Sequence, residues 1–196
     1  LANLRRALDA HGIERAFVPA PLPGAVAFQI VNRHYATYED YVMALAECLQ
    51  EEYRAIVDAG FLLQLDSPDI PMCAPQHSVF WASDVVAGMG YQAFIALNLA
   101  ALERATEGIP GEHLRLHLCW ANYEGPHHHD VALAEVLEPS LRLCRAKTIS
   151  FEAANPRHEH EWAVFESLRL PDDVVIMPGV IDTSTNFVEH PELVAQ

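Results

Sequence analysis

Apolar residues along this chain recur with two different spacings, and the spacing changes from segment to segment. Between Thr37 and Ala59 they follow a helical period. Thr37 is placed as an N-cap, Glu39 and Asp40 stand in the first turn, and Gly60 sits where a helix-ending glycine belongs. FLLQLD (61–66) then reads as a strand, stopped by SPDIP. Helices are predicted over Gly90–Thr106, over 130–144, over 158–170 and from about Val188 onward. Strands are predicted in HLRLHLC (113–119), TISFE (148–152) and VVIMPGV (174–180), with RAFVPAP (15–21) as one more. Strand and helix alternate throughout, without an internal repeat or linker. The pattern predicts a parallel sheet with covering helices in one domain spanning 1–196.

The strands have two unlike faces. Side chains alternate across a strand, so Leu114, Leu116 and Leu118 point one way and His113, Arg115, His117 and Cys119 the other. Ile149 and Phe151 likewise oppose Thr148, Ser150 and Glu152, and Leu63 and Leu65 oppose Gln64 and Asp66. An open sheet covered by helices on both sides carries strands that are apolar throughout. One apolar and one polar face suits a barrel, with leucines outward against helices and a functional interior. A complete eight-unit barrel takes roughly 250 residues. The expected fold is therefore α/β, an incomplete (β/α)8 TIM-type barrel with about five of the eight strands, the first and last lacking. Unpaired edges of this kind leave room for a homo-oligomer.

Charge narrows the partners. With 12 basic and 27 acidic residues the formal net charge is −15, a surface that repels nucleic acid and anionic membranes. No run approaches the ~20 apolar residues of a membrane span. The opening LANLRRALDAHG lacks an apolar centre and a cleavage site, so a secretory leader is not expected. Cys48, Cys73, Cys119 and Cys144 are irregularly spaced and read as reduced thiols of a cytoplasmic protein.

Against that background LRLHLCWANYEGPHHHD (114–130) stands out. His117 and Cys119 share a strand face about 7 Å apart at Cα, near enough to meet one metal, and Glu152 ends a following strand. Nitrogen, sulfur and oxygen donors together suit Zn²⁺. A core histidine beside a small buried thiol fits an isolated H-x-C as well. His127, His128 and His129 follow Gly125-Pro126 on a loop at the carboxyl ends of the strands, where barrel sites sit; they are read as substrate contacts or a site-closing element. EAANPRHEHEW (152–162) is a second charged loop in which Asn155 and Arg157 are candidate substrate contacts, with a solvated helix start as the other reading.

At these residues the sequence resembles the cobalamin-independent methionine synthase family, in the superfamily with uroporphyrinogen decarboxylase and epoxyalkane:coenzyme M transferase. LQLDSP, HLCWANYEG, SFEAANPRHEHEW and PGVIDTSTNFVEHPELVA carry the likeness, from about Phe61 onward. The resemblance implies a (β/α)8 barrel with zinc held by His117, Cys119 and Glu152. It implies a further cysteine ligand on the last strand, expected beyond Gln196, with Cys73 the alternative within the chain. It places Asp66 as the group that engages a substrate ammonium. The implied activity is zinc-dependent methyl transfer to a small thiol, homocysteine giving methionine, with a folate-type donor. Ser67 stands where the family carries glutamate, and Asp182 is followed by Thr183 and Ser184 where the family often has a histidine. Attack of a thiolate on an epoxide, a zinc-free decarboxylase-like barrel and an inactive fragment are the alternatives.

Overall fold

The computed structural model describes residues 1–73, 82–122 and 125–195. Helix α1 (Ala2–Ala10) leads into β1 (Phe17–Pro21), followed by α2 (Pro23–Gln29), α3 (Tyr38–Asp58) and β2 (Leu62–Ser67). Then come α4 (Asp69–Met72), α5 (Ala82–Met89), α6 (Tyr91–Ala105), β3 (Leu114–Leu118), α7 (Leu133–Leu143), β4 (Thr148–Glu152), β5 (Val175–Gly179) and α8 (Pro191–Val194).

The long helix shows how locally the chain is instructed. Thr37 Oγ1 accepts the Asp40 N–H at 3.0 Å, and Asp40 Oδ2 accepts from the same hydroxyl at 2.7 Å, closing the start of α3. At the other end Phe61 N donates to Ile56 O and Gly60 N to Val57 O, the paired bonds of a Schellman ending. That ending needs a left-handed residue, and Gly60 supplies it at φ +81°. The reversal delivers Phe61 into the core and the chain into β2.

The five strands form one all-parallel sheet in the order β1-β2-β3-β4-β5. Right-handed crossovers between strands laid down in sequence order put the connecting helices on one face. A doubly wound sheet, by contrast, reverses its order and covers both faces. The burial agrees. Leu63, Leu65, Leu114, Leu116, Leu118, Ile149 and Phe151 are at most 3% exposed, while their alternating neighbours are only partly covered. Each such leucine contributes about 1.5–3 kcal/mol by leaving water, which pins the register, because a one-residue slip would turn the apolar set outward.

On the partly covered face the register aligns Pro21, Asp66, His117, Ser150 and Met177 in one row across all five strands. Below it lie Pro19, Gln64, Arg115, Thr148 and Val175. Arg115 reports the curvature. Its guanidinium carbon lies 3.9 Å from the Phe17 ring of β1, and its Nη1 lies 3.6 Å from Met177 Sδ of β5. A flat sheet holds strands four places apart at ~19 Å, so one side chain touching both edges means that the strands bend toward the polar face. The sheet is thus compatible with an arc of a barrel. No helix among the described residues is long and apolar enough to cross a membrane.

Two segments differ from expectation. The helix expected over 158–170 is a run of 3-10 geometry over Glu159–Glu166. Asn155 Oδ1 accepts from both Arg157 N and His158 N just before it, and the side chains of His158 and Glu161 are drawn into a buried network. The helix expected from Val188 starts at Pro191, where His190 Nδ1 accepts the Glu192 N–H and proline suits the first turn. Helix α2 is absent from the pattern reading because its opening, Leu-Pro-Gly, looks like a turn. Gly24 is required there by close approach. A Cβ on it would overlap Asp69 Oδ2 and come within 2.7 Å of Asn98 Oδ1.

Candidate metal centre

The row of polar residues becomes a cluster at the carboxyl ends of β2 and β3. One ligand atom each from Asp66, His117 and Cys119 lie within 4.8 Å of one another. This is the one group of three or more metal-type ligands found among the described residues. Its closest carboxylate–imidazole approach is Asp66 Oδ1 to His117 Nε2, 4.0 Å. The cluster exists because the β2–β3 register sets Asp66 opposite His117, and strand alternation brings Cys119 back to the same face.

Hydrogen bonding favours a cation between them. His117 Nδ1 meets Ser150 Oγ at 3.0 Å. The other ring nitrogen is thereby turned toward Asp66 and Cys119, the arrangement by which a neighbour orients a ligating imidazole. Asp66 Oδ1 is shielded from solvent yet has no hydrogen-bond partner among the described residues. A buried carboxylate oxygen without a partner is costly, and a cation satisfies it.

The electrostatics point the same way. Burial, opposed by a hydrogen bond from the Ala121 N–H and aided by the charges of Asp66 and Glu152, pushes the Cys119 thiol up to about 11. Burial also raises Asp66, with His117 drawing it back. A thiol and a carboxyl are thus held together where their anions disfavour each other, and a divalent cation reverses that penalty. Just beyond this amide the chain turns through Ala121 at φ +60°, the left-handed region that an alanine rarely enters.

Glu152 stands one step beyond the paired Leu118 and Phe151, level with Cys119. Its charge is felt at the Cys119 sulfur, but its Oε2 accepts from Asn155 Nδ2 at 2.7 Å, and it lies outside the group of three. The expected set of His117, Cys119 and Glu152 therefore gathers around a nucleus in which Asp66 is the carboxylate already in place. Cys73 is buried in the hydrophobic core at the end of α4, its thiol pushed far up by burial and by Asp69. It does not join the cluster.

The remaining candidates lie on the loops after β3 and β4. His127 Nδ1 donates to Asp130 Oδ2 at 2.8 Å, and Arg157 Nη2 donates to Asp130 O at 2.9 Å. Asn155, Arg157, His127, Asp182 and Ser184 line a cavity of about 250 Å³ formed by the loops after β3, β4 and β5. His128 and His129 are exposed, with rings 3.9 Å apart, and neither lines it. A larger concavity of about 630 Å³, lined by Glu135, Glu138, Arg142 and Leu168, lies on the outer helical surface away from the polar row. The smaller one holds His127, Asn155 and Arg157, and the larger one holds none of the candidate residues.

Sequence patterning missed Ser150, although it shares a face with Glu152 two residues on. It also missed the buried set of Trp120, Asp130, His158 and Glu161, whose partners are some 30 residues apart and which carries no local signature. Comparison with protein-family models, with curated proteins and with solved structures found no match.

Proposed function

We propose that this chain carries part of a zinc-dependent alkyl-transfer site acting on a small thiol, with homocysteine the leading acceptor and methionine the product. The convergence of Asp66, His117 and Cys119 at the carboxyl end of a parallel sheet is the observation that carries this reading. We propose further that the sheet is an arc of a (β/α)8 barrel, supported by its sequential strand order, one-sided helices and bend toward the polar face.

The donor set fits zinc. Ligand atoms around one tetrahedral zinc lie ~3.5 Å apart, close to the spacing already present. His117, Cys119 and Asp66 or Glu152 would hold the ion. Bound there, zinc lowers the pKa of a thiol and keeps its sulfur anionic at neutral pH. Ser150 fixes the His117 ring, and the Ala121 amide steadies the Cys119 sulfur. The exposed part of the Asp66 carboxylate is the partner for a substrate ammonium. His127, Asn155 and Arg157 line the approach for the donor. In the reaction the acceptor loses its thiol proton, and its sulfur lone pair forms the new C–S bond. The donor's bond to that carbon breaks, its electron pair staying with the leaving atom, which takes up a proton.

One observation favours a second reading. Ser184, not a histidine, follows Asp182 in the rim cavity, so an imidazole for protonating a folate-type leaving group is lacking at that position. An epoxide donor also needs a proton at its ring oxygen, but a strained ring opens with less assistance. The test is to offer the protein homocysteine and a thiol sulfonate with a methyl donor and with a short epoxide. Methionine from homocysteine supports the first reading. Thioether from the epoxide alone supports the second, and no thiol alkylation by any pair ends both.

A further inference from the structure

Trp120 directly follows Cys119 and is 1% exposed. Its indole N–H donates to Val131 O at 3.0 Å, and its ring centroid lies 4.5 Å from that of His158. His158 is itself 2% exposed. Its Nε2 donates to Asp130 Oδ2 at 3.1 Å and its Nδ1 to Glu161 Oε2 at 2.7 Å. A carboxylate only accepts, so both ring nitrogens carry protons and the ring is a buried cation. A cation close to an indole ring is attractive, and the contact adds to the hydrogen bond that holds Trp120.

The same cluster ties two loops together. Asp130 belongs to the loop after β3, and its carbonyl accepts from Arg157 of the loop after β4 at 2.9 Å. Glu161 Oε1 accepts the Leu133 N–H at 2.9 Å, capping the first turn of α7. Asn155 provides the second branch. Its Oδ1 accepts the His158 N–H at 2.9 Å while its Nδ2 donates to Glu152 at 2.7 Å. His158 therefore reaches Cys119 through Trp120 and Glu152 through Asn155, touching neither. The left-handed Ala121 lies just after Trp120. Such strain persists only where the surroundings fix it, and its immediate neighbour is the buried, hydrogen-bonded Trp120.

We infer that His158, held between Asp130 and Glu161, is a positioning residue that aims Cys119 and Glu152 into one site across the two loops. Its metal arm rests on the proposed reading of Cys119 as a ligand; its geometric arm does not. The experiment uses His158→Gln and the milder Glu161→Gln, with folding checked by circular dichroism. The first readout is the iodoacetamide alkylation rate of Cys119 in metal-free protein, resolved by peptide mass spectrometry against exposed Cys48. The second is zinc affinity by chelator competition. Loosening of the Trp120 turn is expected to raise the Cys119 rate about tenfold relative to Cys48 in His158→Gln. Zinc affinity is expected to fall about tenfold, as for loss of a group that supports metal ligands. Glu161→Gln should move both in the same directions by a smaller factor, and it decides alone if His158→Gln does not fold. Folded variants with wild-type alkylation ratios and wild-type zinc affinity overturn the inference. Altered alkylation in a protein that binds no zinc upholds the positioning and removes the metal reading. Zinc binding that neither variant alters, with alkylation also unchanged, does the reverse.

Discussion

Raising the pH from 6.5 through about 9 draws the proton from His158, and the cost can be worked from its surroundings. Burial opposes the charge on this ring, but hydrogen bonds to Asp130 and Glu161 outweigh it and push the pKa from 6.5 up to about 9. A difference of about 2.5 units corresponds to roughly 3 kcal/mol at 1.36 kcal/mol per unit. The folded state binds the proton more tightly than the unfolded chain. The stabilisation is therefore fully present below pH 6.5 and is lost as pH rises through about 9. Linkage gives a contribution of about 3 kcal/mol at pH 6.5 and under ~0.5 kcal/mol at pH 9. In a domain of this size that loss of about 2.5 kcal/mol is a fall of roughly 5–10 °C in Tm. The assay is urea unfolding of wild type and His158→Gln at half-unit steps from pH 6 to 9.5. Taking the difference between the two proteins cancels the titrations of groups outside the His158 network. The gap should be widest near pH 6 and close steadily toward pH 9.5. A gap that stays constant over this range refutes the argument, because the ring would then not carry the buried proton.

Three further outcomes follow from particular contacts. Asp130, on which burial acts against the charge while His158 and His127 outweigh it, is held below the ordinary carboxylate range; Asp130→Asn should lose stability at pH 6, and melts that match wild type there would contradict its place in the network. Ser150→Ala removes the hydroxyl that orients His117 and should weaken zinc binding about tenfold in a protein of unchanged Tm, read by chelator competition. Ala121→Val puts a β-branched residue at φ +60°, where it crowds the backbone more than alanine does, and should lower stability in urea unfolding, whereas Ala121→Gly should cost nothing.

How much of this the chain announced depends on the range of the interaction. Strands whose apolar residues alternate, Leu63 to Leu65, Leu114 to Leu118 and Ile149 to Phe151, declare their faces through nearest neighbours. The core face of the sheet was accordingly legible. Thr37 and Gly60 marked the ends of α3 through local capping chemistry. His117 and Cys119 were found by the two-residue period alone. What the pattern left out needed register. Nothing in LLQLDS says that Asp66 will stand opposite His117; only the parallel pairing of β2 with β3 does so. Asp66 was accordingly expected to serve only the substrate, and Glu152 to complete the metal set. His158 was legible only as loop charge, because Asp130, which with Glu161 makes it a cation, and Trp120, which packs against it, come from the segment after β3, about 30 to 40 positions earlier. The 3-10 turn after it replaces the expected helix for the same reason: its side chains are committed inward to partners that periodicity does not register.

The central claim is that Asp66, His117 and Cys119 share one ion, and cobalt substitution tests it most directly. Titrated into metal-free protein, cobalt(II) should bind at about one ion per chain in tetrahedral geometry, with visible d–d bands and a near-ultraviolet sulfur-to-cobalt charge-transfer band, and zinc should displace it. Cys119→Ser should abolish the charge-transfer band. Asp66→Asn and His117→Gln should each lower the affinity. Stoichiometric binding with an undiminished charge-transfer band in Cys119→Ser, or no binding at all by the wild-type protein, would contradict the shared site.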